Sequence, residues 1–400
     1  MASEASALQV KIAPERSTLA RNGFLALILF SVAHFCVDLY SAALSAYQPV
    51  LGDKMGLSLT RAGILGGMMV FSGSVLQPAY GYLSDRFHSR LFSALGPAVA
   101  GIFISALCLA PSFGWLLLLI LLGGAGIASF HPQASALATA GIVTSNRGRW
   151  MAIFISAGTL GLAVGPSFFT TLFTEVGLSR AWLGAIPGVF ISIFLLFKLG
   201  DATKTSAHPR RSFDWRPLRA VWKPLTILYL LVFIRSILQV VYGQLLPLYL
   251  HRERGFSLTA ASLALSLYLV FGAVGGFAGG HLADRFGGRQ VILVSMAGCL
   301  PFLTLFFATS GVASIIGLSL GGLLLLFTIP VNVVMAQDLV PSQAGTVSAL
   351  MMGFAWGTAG LIFIPLTGWA GDHFTLHHAL SALLVFPIAG IALALKLDAR

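Results

Sequence analysis

The sequence predicts an all-α integral membrane protein whose twelve transmembrane helices form two pseudo-symmetric six-helix bundles. Three observations predict it: a composition too apolar for water, twelve apolar runs of spanning length, and an internal repeat at one fixed offset. Only 9% of the 400 residues are charged, against about 25% in a typical soluble domain. Residues of the set AVILMFWYC make up 57% and the mean hydropathy is +0.90, which excludes a soluble enzyme. The net charge of +11 would suggest nucleic acid only if the basic residues clustered on a solvated domain. Here they form short tufts between apolar runs, so no nucleic-acid partner is expected. Cys36, Cys108 and Cys299 lie inside apolar runs with no C-x-x-C pair, so neither a disulfide scaffold nor a metal site is expected.

A span needs about 20 apolar residues to cross roughly 30 Å of hydrocarbon. Cutting at charged and turn-forming residues gives twelve such segments, near 22–50, 59–83, 91–110, 113–140, 149–174, 180–198, 224–250, 259–282, 289–309, 312–337, 345–370 and 376–396. Gly, Ala and Ser run through them without the period-2 alternation that a membrane barrel requires, so helix is the expected state. The polar leader at 1–21 precedes a first run too long for a signal-peptide core, and is expected to remain as an N-terminal tail. With that tail inside, 18 of the 24 basic residues fall in cytoplasmic segments, five in outer loops and one, Arg235, inside a span. The positive-inside rule therefore predicts both termini in the cytoplasm. The longest polar stretch, 200–223, is read as a linker between an N-terminal half at 22–199 and a C-terminal half at 224–400.

A shift of 199 residues overlays GYLSDRFHSR from Gly81 on GHLADRFGGR from Gly280. The same shift overlays Gly56-Leu57-Ser58-Leu59-Thr60 on Gly255-Phe256-Ser257-Leu258-Thr259, and Gly158, Gly161 and Pro166 on Gly357, Gly360 and Pro365. One offset holding in separated places points to duplicated six-helix halves, the parallel-repeat pattern of transporters.

The G-x-L-x-D-R-x-x-x-R loop of each half resembles the signature loop of the major facilitator superfamily, over essentially the whole chain. HFCVDLYSAALSAYQPVL (His34 to Leu51), SVLQPAYGYLSDR (Ser74 to Arg86), SFHPQAS (Ser129 to Ser135) and AQDLVPSQAGTVSALMMGFAWGTAG (Ala336 to Gly360) resemble its fosmidomycin resistance protein group. Gln133 stands where that group is expected to carry an acidic residue after the His-Pro pair. The resemblance implies a monomeric, multi-pass transporter of the bacterial inner membrane, with helices 1, 4, 7 and 10 lining a central cavity. It also implies that Asp85 and Asp284 dock on the N-terminus of helix 11 or 5 and latch the cytoplasmic gate, with Gly81, Arg86, Arg90, Gly280, Arg285 and Arg289 around them. A helix start, with unpaired N–H groups and partial positive charge, suits such a carboxylate.

An ionised group at mid-membrane costs roughly 2.5–3.5 kcal/mol even on the gentlest scale, so the interior polar residues are the candidate site. His34 and Asp38, four apart, share one helix face and are the candidates for proton coupling. Desolvation and a nearby cation shift a carboxylate in opposite senses, so cavity opening can change its proton occupancy. The bland alternative is that the two residues simply lock helix 1 to a neighbour. Arg235, Gln239 and Tyr242 form one stripe on helix 7, and with His131, Gln133 and Asn332 they are the substrate-binding candidates. Arg235 reads either as the counter-charge of an anion or as a permanent partner of Asp38. His131 reads as a cavity donor or as a ring satisfying the backbone beside Pro132. Gly158, Gly161, Gly165 and Pro166 resemble the superfamily's antiporter motif, and plain helix packing is their alternative reading.

No G-x-x-x-x-G-K-[ST] loop or soluble domain is present, so an ion gradient without a cofactor is expected to supply the energy. The leading expectation is a proton-coupled antiporter exporting a small amphipathic or anionic compound by alternating access, a drug efflux activity giving antibiotic resistance. Proton-coupled import of an organic anion uses the same residues. A membrane-embedded enzyme or receptor is disfavoured by the absence of H-E-x-x-H and G-x-S-x-G sites.

Overall fold

The computed structural model describes residues 13–87, 91–138, 147–198 and 215–397. Among the described residues twelve helices are long and apolar enough to cross a membrane: α1 Gly23–Met55, α2 Leu59–Leu83, α3 Leu91–Leu109, α4 Phe113–Ser135, α5 Trp150–Val176, α6 Leu178–Lys198, α7 Trp222–Arg252, α8 Leu258–Phe286, α9 Gly288–Ala308, α10 Gly311–Leu339, α11 Thr346–His373 and α12 Leu376–Ala394. Twelve spans return the chain to the side from which it started, here called the terminal end. Large side chains such as Phe277, 87% exposed, and Phe197, 80% exposed, cover the outside, a surface that suits lipid and not water.

The repeat is written into the backbone. Gly56 and Gly255 both take a left-handed φ, 59° and 70°, which favours glycine. Two residues on, Ser58 and Ser257 cap α2 and α8 by accepting from Arg61 N and Ala260 N, relieving the unpaired donors of each helix start. Gly81 and Gly280 each lie against a proline of their own half, Pro132 in α4 and Pro330 in α10. The prolines are one register apart under the 199 shift, yet they fill the same place.

Element ends differ from expectation by a few residues. α1 runs to Met55, past the expected 50, because its polar last turn finds partners: Asp53 bonds Arg252 and the Lys54 amine donates to the Cys108 carbonyl. α8 carries Asp284 and Arg285 inside its last turn. The expected tail at 1–21 and linker at 200–223 fall mostly outside the described residues; the linker's described part includes a short helix, Trp215–Ala220.

Within the first half α1 packs on α5 and α4, and α3 on α4 and α6; within the second, α10 packs on α9 and α8. The halves meet along α2 with α11 and along α5 with α8. Their polar contacts lie at the end opposite the termini. Asp53 Oδ1 accepts from Arg252 Nη2 at 3.0 Å, and Asp372 accepts from the Leu59 and Thr60 backbone N–H at 2.8 Å each. Ser167 pairs with Ser266 at 2.8 Å and Thr170 with Ser262 at 2.6 Å. The structure is therefore latched at the far end.

Candidate functional site

Midway along α1, Asp38 sits between two imidazoles. Its Oδ2 lies 3.3 Å from His34 Nε2, one turn back on the same helix, and its Oδ1 lies 3.1 Å from His131 Nε2 of α4. Each ring is pinned from behind: His34 Nδ1 lies 2.8 Å from the Phe154 carbonyl of α5, and His131 Nδ1 lies 2.8 Å from the Ile127 carbonyl. Phe154 stacks on His34 with ring centroids 4.2 Å apart. The His131 side chain is 21% exposed, against 8% for His34 and 11% for Asp38, so His131 is the member closest to water. His131, read from the sequence as a cavity donor or as a ring satisfying the backbone beside Pro132, sets Nδ1 on the Ile127 carbonyl and Nε2 on Asp38.

α5 closes the cluster. A Cβ on Gly158 would overlap His34 Nε2 and Asp38 Oδ2, and one on Gly161 or Gly165 would overlap the Phe35 or Leu39 carbonyl of α1. The glycine motif thus lets α5 lie against the α1 backbone, and Gly158 does so at the buried carboxylate itself.

Across the molecule Arg235 of α7 is 5% exposed. It does not pair with Asp38. Its Nη1 donates to Gln239 Oε1 on the next turn, and its Nε is buried without a partner. Asn332 of α10 is fully buried with both amide atoms unpartnered, as are Thr328 Oγ1 one turn earlier and Tyr268 Oη of α8.

Two substrate candidates point elsewhere. The Tyr242 hydroxyl donates to the Leu380 carbonyl of α12 at 3.2 Å and the ring packs on Tyr268 and Phe307, so it holds the second bundle together. Gln133 Oε1 accepts from Ser93 N at the start of α3. Two residues turn a helix by about 200°, which places Gln133 on the opposite face from His131.

The gating set is divided. The side chain of Asp85 and the whole of Arg90 lie outside the described residues, as does part of the approach to α5 on which a latch would close. Asp284 is exposed and has no hydrogen bond or ion pair among the described residues, and Arg285 is exposed beside it. Arg86 is exposed. Arg289 donates to the Ala394 and Leu395 carbonyls at the end of α12, a C-terminal cap by a cation. Sequence reasoning missed Asp372, Tyr268 and the Asp53–Arg252 pair. The last had a signal available, since the two residues stand 199 apart and are repeat mates of opposite charge.

A family model described as Major Facilitator Superfamily matches residues 30–365. The chain is similar to the uncharacterized MFS-type transporter YfnC of Bacillus subtilis (strain 168), 29% identical with 91% of each chain covered. It is similar to the fosmidomycin resistance protein of Escherichia coli (strain K12), 27% identical over 94% of this chain and 93% of that one. Its fold resembles a solved inward-facing bacterial homologue of the human lysosomal transporter Spinster, with a TM-score of 0.79, 15% identity, and 93% and 96% of the two chains covered.

Proposed function

The chain belongs to the Major Facilitator Superfamily and is a multi-pass membrane transporter, not an enzyme; from that premise we propose that it exports a small anionic or amphipathic compound in exchange for protons. The observation that carries this reading is the separation of the two interior charges. Asp38 is engaged by two histidines in the first half, while Arg235 is buried in the second with no carboxylate beside it among the described residues. A buried guanidinium without a counter-ion is unfavourable until an anion supplies one. Its fork of donors matches a carboxylate, phosphate or phosphonate. Asn332 adds an amide with no partner among the described residues. Protons load the first half and the anion loads the second, each changing the stability of the rocked states through differential binding.

The excess of basic residues on one side supports an inner-membrane placement with both termini in the cytoplasm. The far-end latch is then periplasmic. The glycines of α5 support exchange over uptake by their resemblance to the antiporter motif, and similarity to the fosmidomycin resistance protein supports fosmidomycin-like cargo. The proton gradient supplies the energy without a cofactor, and a single chain contains both halves of the pathway. Expression in an efflux-deficient bacterium, followed by a panel of toxic anions that includes fosmidomycin, tests the reading. Protection is the expected outcome; hypersensitivity would instead mark an importer of organic anions.

A further inference from the structure

A backbone carbonyl only accepts hydrogen bonds. Since Nδ1 of His34 faces the Phe154 carbonyl and Nδ1 of His131 faces the Ile127 carbonyl, both at 2.8 Å, each Nδ1 carries a hydrogen whatever the ring's charge. A neutral ring in that tautomer presents a bare lone pair at Nε2. Both Nε2 atoms face carboxylate oxygens of the one Asp38, at 3.3 and 3.1 Å. Three exchangeable positions remain: the two Nε2 atoms and the carboxyl. With no proton on them, both contacts set lone pair against lone pair. With one proton, a single contact becomes a hydrogen bond. With two, both do, either as two imidazoliums flanking a carboxylate or as one imidazolium and a carboxylic acid that donates to the other ring. A third proton would turn one contact into a clash of hydrogens.

We propose that the His34–Asp38–His131 cluster is a two-proton site, and that the closed geometry seen here is its doubly loaded form. The inference uses the transporter reading only for what the protons do, not for their number. No other titratable side chain intrudes from the elements packed around it. Near the cluster α1 adds Cys36 and Tyr40, whose hydroxyl is bonded to the Gly184 carbonyl and the Gly188 N–H; α4 adds none besides His131, α5 has none between Trp150 and Thr174, and the cation brought by α7, Arg235, is bonded to Gln239. Phe154 and Phe130 cover His34, and Gly158 leaves no room for water or a side chain against the Asp38 carboxylate. The two protons are therefore held against one another's partner. Loss of one leaves a bare contact that opens the His131 side, where water reaches, and the second proton, held in the remaining imidazolium–carboxylate pair, leaves in a later step coupled to the first. In transport this gives an even exchange of two protons for each cycle.

The test is a proton count on the full-length chain in lipid nanodiscs with nitrogen-15 histidine. H34Q and H131Q assign the two rings, and infrared absorption reads the Asp38 carboxyl against D38N. From about pH 5, below the ordinary imidazole range, upward, the expected result is two exchangeable protons lost in two coupled steps, falling to one in H131Q. A count of one in the wild type, or two rings that titrate independently of each other's removal, overturns the proposal. H34Q supplies the same reading should H131Q fail to fold. Because the count needs no transported compound, it stands or falls separately from the export of fosmidomycin.

Discussion

The two halves share a backbone and differ in how they treat buried polar groups. The left-handed turns at Gly56 and Gly255, the caps at Ser58 and Ser257, and the glycine-on-proline contacts at Gly81 and Gly280 are repeated almost residue for residue. Inside, the first half completes its charged cluster, with every ring nitrogen of His34 and His131 facing an oxygen; among the described residues its unpartnered buried atoms are the hydroxyls of Ser31, Tyr47 and Ser105 and the Gln48 amide oxygen. The second half leaves a guanidinium nitrogen, both ends of an amide and two hydroxyls, at Arg235, Asn332, Tyr268 and Thr328, among its own. Each orphaned group costs about 1–3 kcal/mol, and a charged one more. Duplication copied the scaffold and left the chemistry free to diverge. A half that closes on itself suits proton loading, and a half with open donors suits a ligand.

The largest expected effect comes from emptying the first half's cluster. Asp38→Asn should reduce proton-driven flux to background in proteoliposomes while leaving expression and membrane insertion intact. Retained proton-coupled flux would end the division of labour between the halves.

Next comes a matched pair of glycines. Gly158→Ala pushes a methyl into the Asp38–His34 contact, whereas Gly357→Ala, its repeat mate, meets chiefly the Val75 side chain. Overpacking of this kind costs typically 1–3 kcal/mol, and only at 158 does it fall on the cluster. Gly158→Ala is therefore expected to lose proton coupling, and Gly357→Ala to lower thermal stability with coupling preserved. Equal effects on coupling would show that the motif is packing alone.

Arg235→Gln probes the second half. A hydrogen bond to a charged group is worth about 1.5–3 kcal/mol, on the order of 10- to 150-fold in affinity. The apparent affinity for fosmidomycin should fall within that range, with proton movement through the first half unchanged. A similar loss for a neutral or cationic compound would remove the anion from the argument.

Spans, repeat and interior charges were legible because each rests on local pattern: run length, a fixed offset, an ionisable residue where lipid forbids one. Pairing was not. Whether Asp38 meets His131 or Arg235 depends on the rotation of α4 and the separation of the halves, and neither leaves a trace in spacing. Arg235, Gln239 and Tyr242 do lie on one stripe, yet the long Tyr242 side chain reaches the Leu380 carbonyl on α12. Gln133 looked like part of a His-Pro-Gln motif, and helical rotation alone removes it from the cluster. Asp372 stood at the end of an apolar run, where an acid ordinarily reads as solvated; its role follows only from where the start of α2 comes to rest.

That residue marks a second asymmetry, and the smallest of the effects. Asp372 of α11 caps the N-terminus of α2 in the other half and also accepts from the Thr60 hydroxyl at 2.5 Å. Under the 199 shift its mate in α5 is Phe173, which is buried, so the α5–α8 seam uses the Ser167–Ser266 and Thr170–Ser262 pairs instead. Loss of a cap costs about 1 kcal/mol, near a fivefold change in a two-state ratio. The cap forms only while the far end is closed, so Asp372→Ala should move the equilibrium toward opening there. The S167C/S266C pair reports it, since those hydroxyls touch in the closed state, and its cross-linking should slow by up to fivefold in the Asp372→Ala background. An unchanged rate would mean that the hydroxyl seam and the Asp53–Arg252 pair hold the far end shut without the cap.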